Sequence, residues 1–252
     1  MRAGLKFDEN YREHVNLTGG ERICLRLLRP SDKQSLLKAF SELSASSRRK
    51  RFFWDKETLS DAELRYFTEM DGSDHFALTA VQIDDDDLEG DGLCVARFVR
   101  LADDPECAVV GITVVDRRQG KGIGRMLLER LVDAAVEREV ARFRFECLAD
   151  NSEIQKLVKK VCRVVETCHD GGVIVVEADL PRVENDISND TRLAFFNLLD
   201  ALRMLSIHSF GQQMQLGRAT FNKAMQAAMD SVGTLRQQKD LEASEEKSDV
   251  PE

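Results

Sequence analysis

Apolar residues recur at every second position in some stretches of the chain and at every third or fourth in others. These two periods divide it into strands and helices. Residues 22–28 (RICLRLL), 75–83 (HFALTAVQI), 93–101 (LCVARFVRL), 107–115 (CAVVGITVV) and 142–148 (RFRFECL) predict strands, and 163–168 and 172–178 predict two closing strands. A helical stripe is carried by Leu36, Leu37, Phe40 and Leu43, another by Leu64, Phe67 and Met70, and a third by Ile123, Leu127, Leu131 and Ala135. A fourth runs through Ile154, Leu157, Val158, Val161 and Cys162. The boundaries carry their own signals. Pro30 with Ser31-Asp32 stops the first strand, Ser60 and Glu63 are spaced as a capping box, and Asn151-Ser152 caps the last helix. The predicted order is β-α-α-β-β-β-α-β-α-β-β, an α/β domain closed at Pro181.

The two ends read differently. Residues 1–20 are polar, finish in Thr18-Gly19-Gly20, and predict a loose N-terminal arm before a domain at 21–182. Residues 183–238 predict a helical C-terminal extension. Leu193, Phe196, Leu199, Leu202 and Leu205 mark one segment, and Phe221, Ala224, Met225, Ala228, Val232 and Leu235 the other. Phe195 and Leu198 widen the apolar face of the first segment beyond what one exposed helix hides. It packs either on the domain's own surface or on a second copy, so a homodimer through these helices is one expectation. Residues 239–252 are charged and predict a disordered tail.

Composition narrows the function classes. A hydrophobic fraction of 42% supports a sizeable core, and a net charge of −9 argues against a nucleic-acid binder. The six cysteines show no CxxC and no repeated spacing, which points away from zinc and from a disulfide framework and toward a reducing cytosol. The polar N-terminus is unlike a signal peptide, and no apolar run approaches the roughly 20 residues of a membrane span. A cytoplasmic protein with no metal and no membrane partner is expected. The acidic loop at 84–91 lacks the alternating ligand spacing of an EF-hand. Arg48-Arg49-Lys50-Arg51 beside Phe52, Phe53 and Trp54 reads as a loop, either solvated or facing a phosphate or acidic partner.

The chemistry concentrates where the strand at 107–115 ends. Arg117-Arg118-Gln119-Gly120-Lys121-Gly122-Ile123-Gly124-Arg125 is a basic, glycine-dense turn that opens a helix. Such a turn presents successive N–H groups, and the helix N-terminus adds its positive pole, so a pyrophosphate fits there. A Walker A loop requires Lys then Ser or Thr after the last Gly, and a dinucleotide fingerprint requires G-x-G-x-x-G; neither is present. Gln119 to Gly124 instead resembles the Q/R-x-x-G-x-G/A loop of the GNAT acyltransferase superfamily, over about residues 22–180. Within it the chain is similar to the acetyltransferase domain of Pat-type bacterial protein lysine acetyltransferases. RLLRPSD, the stretches 43–53 and 64–68, Val95 to Arg100, Ile112 to Asp116, and Leu148 to Asn151 carry that likeness.

The resemblance implies a GNAT fold, a mixed and mostly antiparallel sheet flanked by helices. It implies acetyl-CoA as cosubstrate, paired with the backbone of Val114 and Val115. Its pyrophosphate would lie on Gln119, Gly120, Lys121, Gly122, Ile123, Gly124 and Arg125, with Asn151 beyond a splay between the fourth and fifth strands. The acceptor would be a protein lysine or a small-molecule amine. Two family positions depart. Where Pat-type enzymes carry a glutamate, seven residues before Asp116, this chain has Val109; where many relatives carry a tyrosine it has Val158. Glu106 is the nearest replacement base, ahead of His169; Cys107 is a thiol that could carry an acyl group, although a strand cysteine is more often inert core. Two other readings stay open: an acyl-CoA sensor that has lost catalysis, and an N-acetyltransferase for a polyamine drawn by the acidic loop.

Overall fold

The two periods resolve, in a computed structural model that describes residues 5–17, 20–170 and 172–181, into eight strands and five helices. The strands are β1 (Arg12–Asn16), β2 (Arg22–Leu27), β3 (His75–Ile83), β4 (Glu89–Arg100), β5 (Cys107–Val114), β6 (Arg142–Leu148), β7 (Arg163–Asp170) and β8 (Val173–Asp179). Helices α1 (Lys33–Ser41), α2 (Ala45–Phe52) and α3 (Asp61–Thr68) lie between β2 and β3 in the chain. α4 (Ile123–Glu137) joins β5 to β6, and α5 (Ser152–Val161) follows β6. The expected extension at 183–238, its role in a homodimer, and the tail at 239–252 lie outside the described residues.

The sheet order is β1-β2-β3-β4-β5-β6-β8-β7. Neighbours are antiparallel except β5 and β6, which run parallel and are joined by α4 as a crossover. Their register runs from Cys107↔Arg142 to Val110↔Phe145 and stops there. β5 continues to Val114 and β6 to Leu148 without pairing to each other, so the sheet opens into a cleft at this one seam.

Strand alternation puts Phe76, Leu78, Ala96, Phe98, Val110, Phe143 and Phe145 on the face that packs α4, whose Leu127, Leu128 and Leu131 are fully buried. Each of the leucine, valine and phenylalanine side chains contributes about 1.5–3 kcal/mol by leaving water. The other face carries Thr79, Val95, Arg97, Gly111 and Thr113 and is covered by α1 and its neighbours. α3 begins at the expected capping box: Ser60 Oγ accepts from the Glu63 N–H, and the Glu63 carboxylate accepts from the Ser60 N–H at 2.9 Å.

Two expectations need correction. The N-terminal arm is structured, because residues 12–16 pair with β2 as an edge strand and Phe7, Tyr11 and Leu17 are buried. Polar alternation hid this strand: its outward side chains are held by ion pairs rather than by apolar contact. The basic stretch at 48–51 is not a loop but the second half of α2 short of its last residue, a helix N-capped by Ser44 Oγ, which accepts from the Ser47 N–H at 3.2 Å. Its cations diverge. Lys50 pairs with Glu153 at 2.9 Å, Arg48 lies over the Phe40 ring, and Arg51 turns inward.

β1 is tied to α4 by Arg130, which donates twice to the Glu13 carboxylate at 2.7 Å. This hydrogen bonding outweighs burial and holds the Glu13 carboxyl down to about 2, against an ordinary 4.5. A carboxyl with a depressed folded pKa stabilises fully above its unfolded value, and loses that contribution as pH falls toward the folded one. Glu13→Gln is therefore expected to cost about 1–2 kcal/mol at pH 7. In urea titrations at successive pH values the two proteins should converge between about pH 4.5 and pH 2.

Candidate active site

β5 leads straight into the glycine turn. A short 3-10 turn at Asp116–Arg118 follows Val115, and α4 then starts with Gly122 at its N-cap. Gly120 and Gly122 have φ of +74° and +82°, the left-handed region that L side chains resist. Gly124 serves another purpose: a Cβ there would lie 3.1 Å from Val114 Cγ2, so its absence lets the helix start close to the strand. The first intrahelical bond runs from the Met126 N–H to the Gly122 C=O at 3.1 Å. The N–H groups of Ile123, Gly124 and Arg125 precede it and point out of the helix end. No side chain caps this end, which leaves the donors and the positive pole of the helix for an anion.

The side chains around the turn are mostly committed to shaping it. Gln119 Nε2 donates to the Val114 C=O and to Asp116 Oδ1, both at 3.1 Å, and to Ser47 Oγ at 3.3 Å. Asp116 Oδ2 accepts from the Ser44 N–H at 2.9 Å. Burial pushes the Asp116 carboxyl up, but hydrogen bonds from Ser44 and Ser47 bring it below its ordinary value. Arg117 bridges Glu42 at 3.0 Å and Asp91 at 3.1 Å, and Arg118 pairs with Glu21. Arg125 pairs with Glu129 at 2.8 Å. Lys121 is exposed and is the cation of this turn with no acidic partner among the described residues. Gln119 is thus a brace. If the turn holds the CoA that the sequence resemblance implies, Gln119→Ala is expected to weaken that binding about 3–10-fold, the scale of one or two lost hydrogen bonds, as read by calorimetry.

The cleft begins next to the turn. Val115 donates its N–H to the Leu93 C=O at 3.0 Å on the β4 side, and its C=O accepts from the Arg118 N–H at 2.8 Å. Val115 therefore has no backbone group to offer a ligand, contrary to the sequence expectation. Since backbone groups alternate sides along a strand, Ile112 and Val114 face the opening toward β6. The Val114 C=O is taken by Gln119. That leaves the Val114 N–H and both groups of Ile112 beyond the last β5–β6 register pair. Asn151 lies at the same end of β6, where its Oδ1 caps α5 through the Ile154 N–H at 3.5 Å. The carboxyl ends of two adjacent parallel strands are where open sheets of this kind take ligands.

A family model described as acetyltransferase (GNAT) family matches residues 37–162, half of the chain. The chain belongs to the GNAT acetyltransferase family. It is 32% identical over 170 residues to acetyltransferase Pat of Mycolicibacterium smegmatis, covering 68% of this chain and 49% of that protein. It is 26% identical over 120 residues to acetyltransferase PA5475 of Pseudomonas aeruginosa, covering 48% of this chain and 63% of the relative. The chain thus spans about half of one of these curated relatives and less than two thirds of the other. The crystal structure of the GNAT domain of S. lividans PAT superposes with a TM-score of 0.62 at 26% identity, over 69% of this chain and 99% of that one. The structure of yncA from Salmonella typhimurium with its cofactor acetyl-CoA shares the fold, with a TM-score of 0.50 at 16% identity.

The GNAT domain does not bring the expected acid–base candidates to its cleft. Glu106 is exposed and precedes β5 at the end opposite the glycine turn, where its C=O accepts from the Ala141 and Arg142 N–H groups at 2.8 and 3.0 Å. At about 3.3 Å per residue it lies about 16 Å along the strand from Gly111, where the cleft starts. His169 is exposed on β7, the outermost strand beyond β8. Burial pushes the Cys107 thiol up to about 11, so it is a buried neutral group rather than a nucleophile. Val158 is 1% exposed and packs in the core. Val109 is half-buried, with Val99 of β4 and Arg144 of β6 as its register partners.

One neighbour of the cleft escaped the sequence reading. A Cβ on Gly111 would lie 2.7 Å from Arg51 Nη2, so the Arg51 guanidinium rests on the strand where the cleft opens. A glycine inside an otherwise β-branched strand is the signal that marks such a close approach. The acidic loop, in turn, is occupied with its own turn and with cations. Asp84 Oδ1 accepts from the Asp86 and Leu88 N–H groups at 3.0 and 2.8 Å, and Asp87 pairs with Arg22 at 2.6 Å; residues 89–91 are not loop but the start of β4, where Asp91 pairs with Lys38 and Arg117.

Proposed function

We propose that this GNAT domain uses acetyl-CoA to acetylate a primary amine, a protein lysine or a smaller amine, by direct transfer. The observation that carries the reading is the juxtaposition at one end of the sheet: an uncapped, glycine-formed helix N-terminus beside a seam where β5 offers unpaired backbone groups. The donors at 123–125 suit a pyrophosphate, Lys121 adds a cation, and the free edge at Ile112 and Val114 suits the amide groups of a pantetheine arm. Asn151 stands across the seam. A backbone N–H on β5 would polarise the thioester carbonyl. The amine nitrogen then forms the new C–N bond, the thiolate leaves, and the surplus ammonium proton passes to water.

Positions 109 and 158 are valines, and the one carboxylate that β6 brings to this end of the seam, Glu146, is tied to Arg144 at 3.3 Å, so water is taken to be the proton acceptor. Transfer is expected to be slow near neutrality, to rise about tenfold per pH unit, and to level off near the amine's own pKa of about 10.4 for a lysine. The test is a pH–rate profile with acetyl-CoA, on protein and small-amine acceptors in parallel. A profile with an inflection near neutrality would contradict it. A second reading, acyl-CoA binding without transfer, is favoured by the same valines together with the cation of Arg51 at the cleft. It predicts tight acetyl-CoA binding and no turnover on any amine.

A further inference from the structure

A cavity on the α1 side of the sheet is floored along β5 by Gly111, Thr113 and Val115, the strand that borders the cleft. Most of its walls are apolar: Leu36, Phe40, Phe52 and Phe67 above, Val95 and Val115 below. Three charged side chains line it, Asp32, Arg51 and Arg97. Asp32 is already engaged, accepting two hydrogen bonds from Arg26 at 2.8 Å. The two remaining charges are both positive and neither has a carboxylate partner among the described residues. Arg97, only 6% exposed, has its ring-side neighbours His75 Nε2 and the Phe67 C=O at 3.3 Å, with the Phe67 ring 4.4 Å from its guanidinium carbon. Arg51 lies over the Phe52 ring at 5.2 Å and makes no hydrogen bond or ion pair among the described residues.

These two guanidiniums converge. Arg97 is the β4 register partner of Gly111, and Arg51 Nη2 lies 2.7 Å from where a Gly111 Cβ would be. Burial first, and the charge of Arg51 second, push Arg97 down to about 9, and burial likewise lowers Arg51. Their titratable neighbours among the described residues add no negative charge: burial holds His75 down to about 3, so its imidazole is neutral, and Tyr66 is kept in its neutral phenol form. Burying unpaired charges side by side is unfavourable in the unliganded protein, and a pair of guanidinium forks is the arrangement that binds a carboxylate bidentately.

We propose that Arg51 and Arg97 form the carboxylate-binding end of the transfer site, so that the ligand reaching Gly111 carries a carboxylate. This rests on the acyl-CoA reading above. The carboxylate belongs either to a dicarboxylic acyl group on CoA or to an amino-acid acceptor. An ammonium acceptor with no carboxylate, such as a polyamine, meets two like charges at this point.

Calorimetry on the full chain with CoA, acetyl-CoA and succinyl-CoA, for wild type, Arg51→Met and Arg51→Lys, separates the cases. If the acyl group supplies the carboxylate, succinyl-CoA binds wild type at least about tenfold tighter than acetyl-CoA. That ratio collapses toward one in Arg51→Met and is partly kept in Arg51→Lys. If the acceptor supplies it, the two thioesters bind alike. Free amino acids are then acetylated at least about tenfold better in kcat/KM than their amides, and Arg51→Met again levels the difference. Arg51→Met should also melt higher than wild type without ligand, because it removes an uncompensated charge. CoA binding with neither preference, or preferences that survive Arg51→Met, would overturn the carboxylate site alone. Absence of binding by CoA itself would overturn the cofactor reading and this proposal together.

Discussion

Gly122→Glu is expected to abolish CoA binding, at least about 100-fold in Kd, while leaving the fold in place. Gly122 is the N-cap of α4 with φ of +82°, and a Cβ built there meets no atom within 4 Å. A new side chain therefore clashes with nothing. It strains one residue by about 1–2 kcal/mol through its left-handed backbone. It also sets a carboxylate at the mouth of the three outward N–H groups that would hold the pyrophosphate. Two effects then act together: the backbone donors shift as the turn relaxes, and an anion stands where an anion must bind. Far-ultraviolet circular dichroism and a melting temperature only modestly lowered would show the fold intact. Gly122→Ala, which keeps the strain without the charge, should fall between the two.

Val109→Glu should raise the rate of amine acetylation, by up to about 10²-fold, the usual scale for a well-placed general base. Val109 points to the same sheet face as Gly111, and its register partner on β6 is Arg144. A glutamate there would share that cation with Glu146, which already pairs with it at 3.3 Å, and is expected to be ionised at neutral pH. It would accept the ammonium proton and lower the positive potential contributed by Arg51 and Arg97. The pH–rate profile should change shape, with transfer no longer climbing in step with the free amine fraction. Glu106→Gln should leave the wild-type profile where it is, since Glu106 sits at the far end of β5. An unchanged profile in Val109→Glu, with the protein folded, would mean that acceptors approach from elsewhere than this face.

The sheet was largely legible because its strands are short apolar runs between strong punctuation. β3 and β6 begin and end where the alternation does, and the Ser60–Glu63 capping box opens α3. The glycine turn was legible because left-handed backbone and close approach leave no other residue type in place. The elements missed are those whose stability is tertiary. β1 is polar on the outside and held by Arg130 of α4, more than a hundred residues away in sequence. α2 carries a run of cations that looks like a loop until Arg48, Lys50 and Arg51 are seen to take separate neighbours. Glu106 failed as a base because sequence adjacency to Cys107 says nothing about which end of β5 faces the cleft. The pairing of Arg51 with Arg97 joins a helix to a strand through Gly111, and no periodicity announces it.

In the proposed complex CoA lies along Ile112 and Val114 and ends on the turn at 120–125. Amide hydrogen exchange, measured residue by residue with and without saturating CoA, reads this placement. Exchange should slow at Ile112, Val114, Ile123, Gly124 and Arg125, with Val115 unchanged because its N–H is already bonded to the Leu93 C=O. Protection that spares this turn, or that appears only elsewhere on the domain, would contradict it.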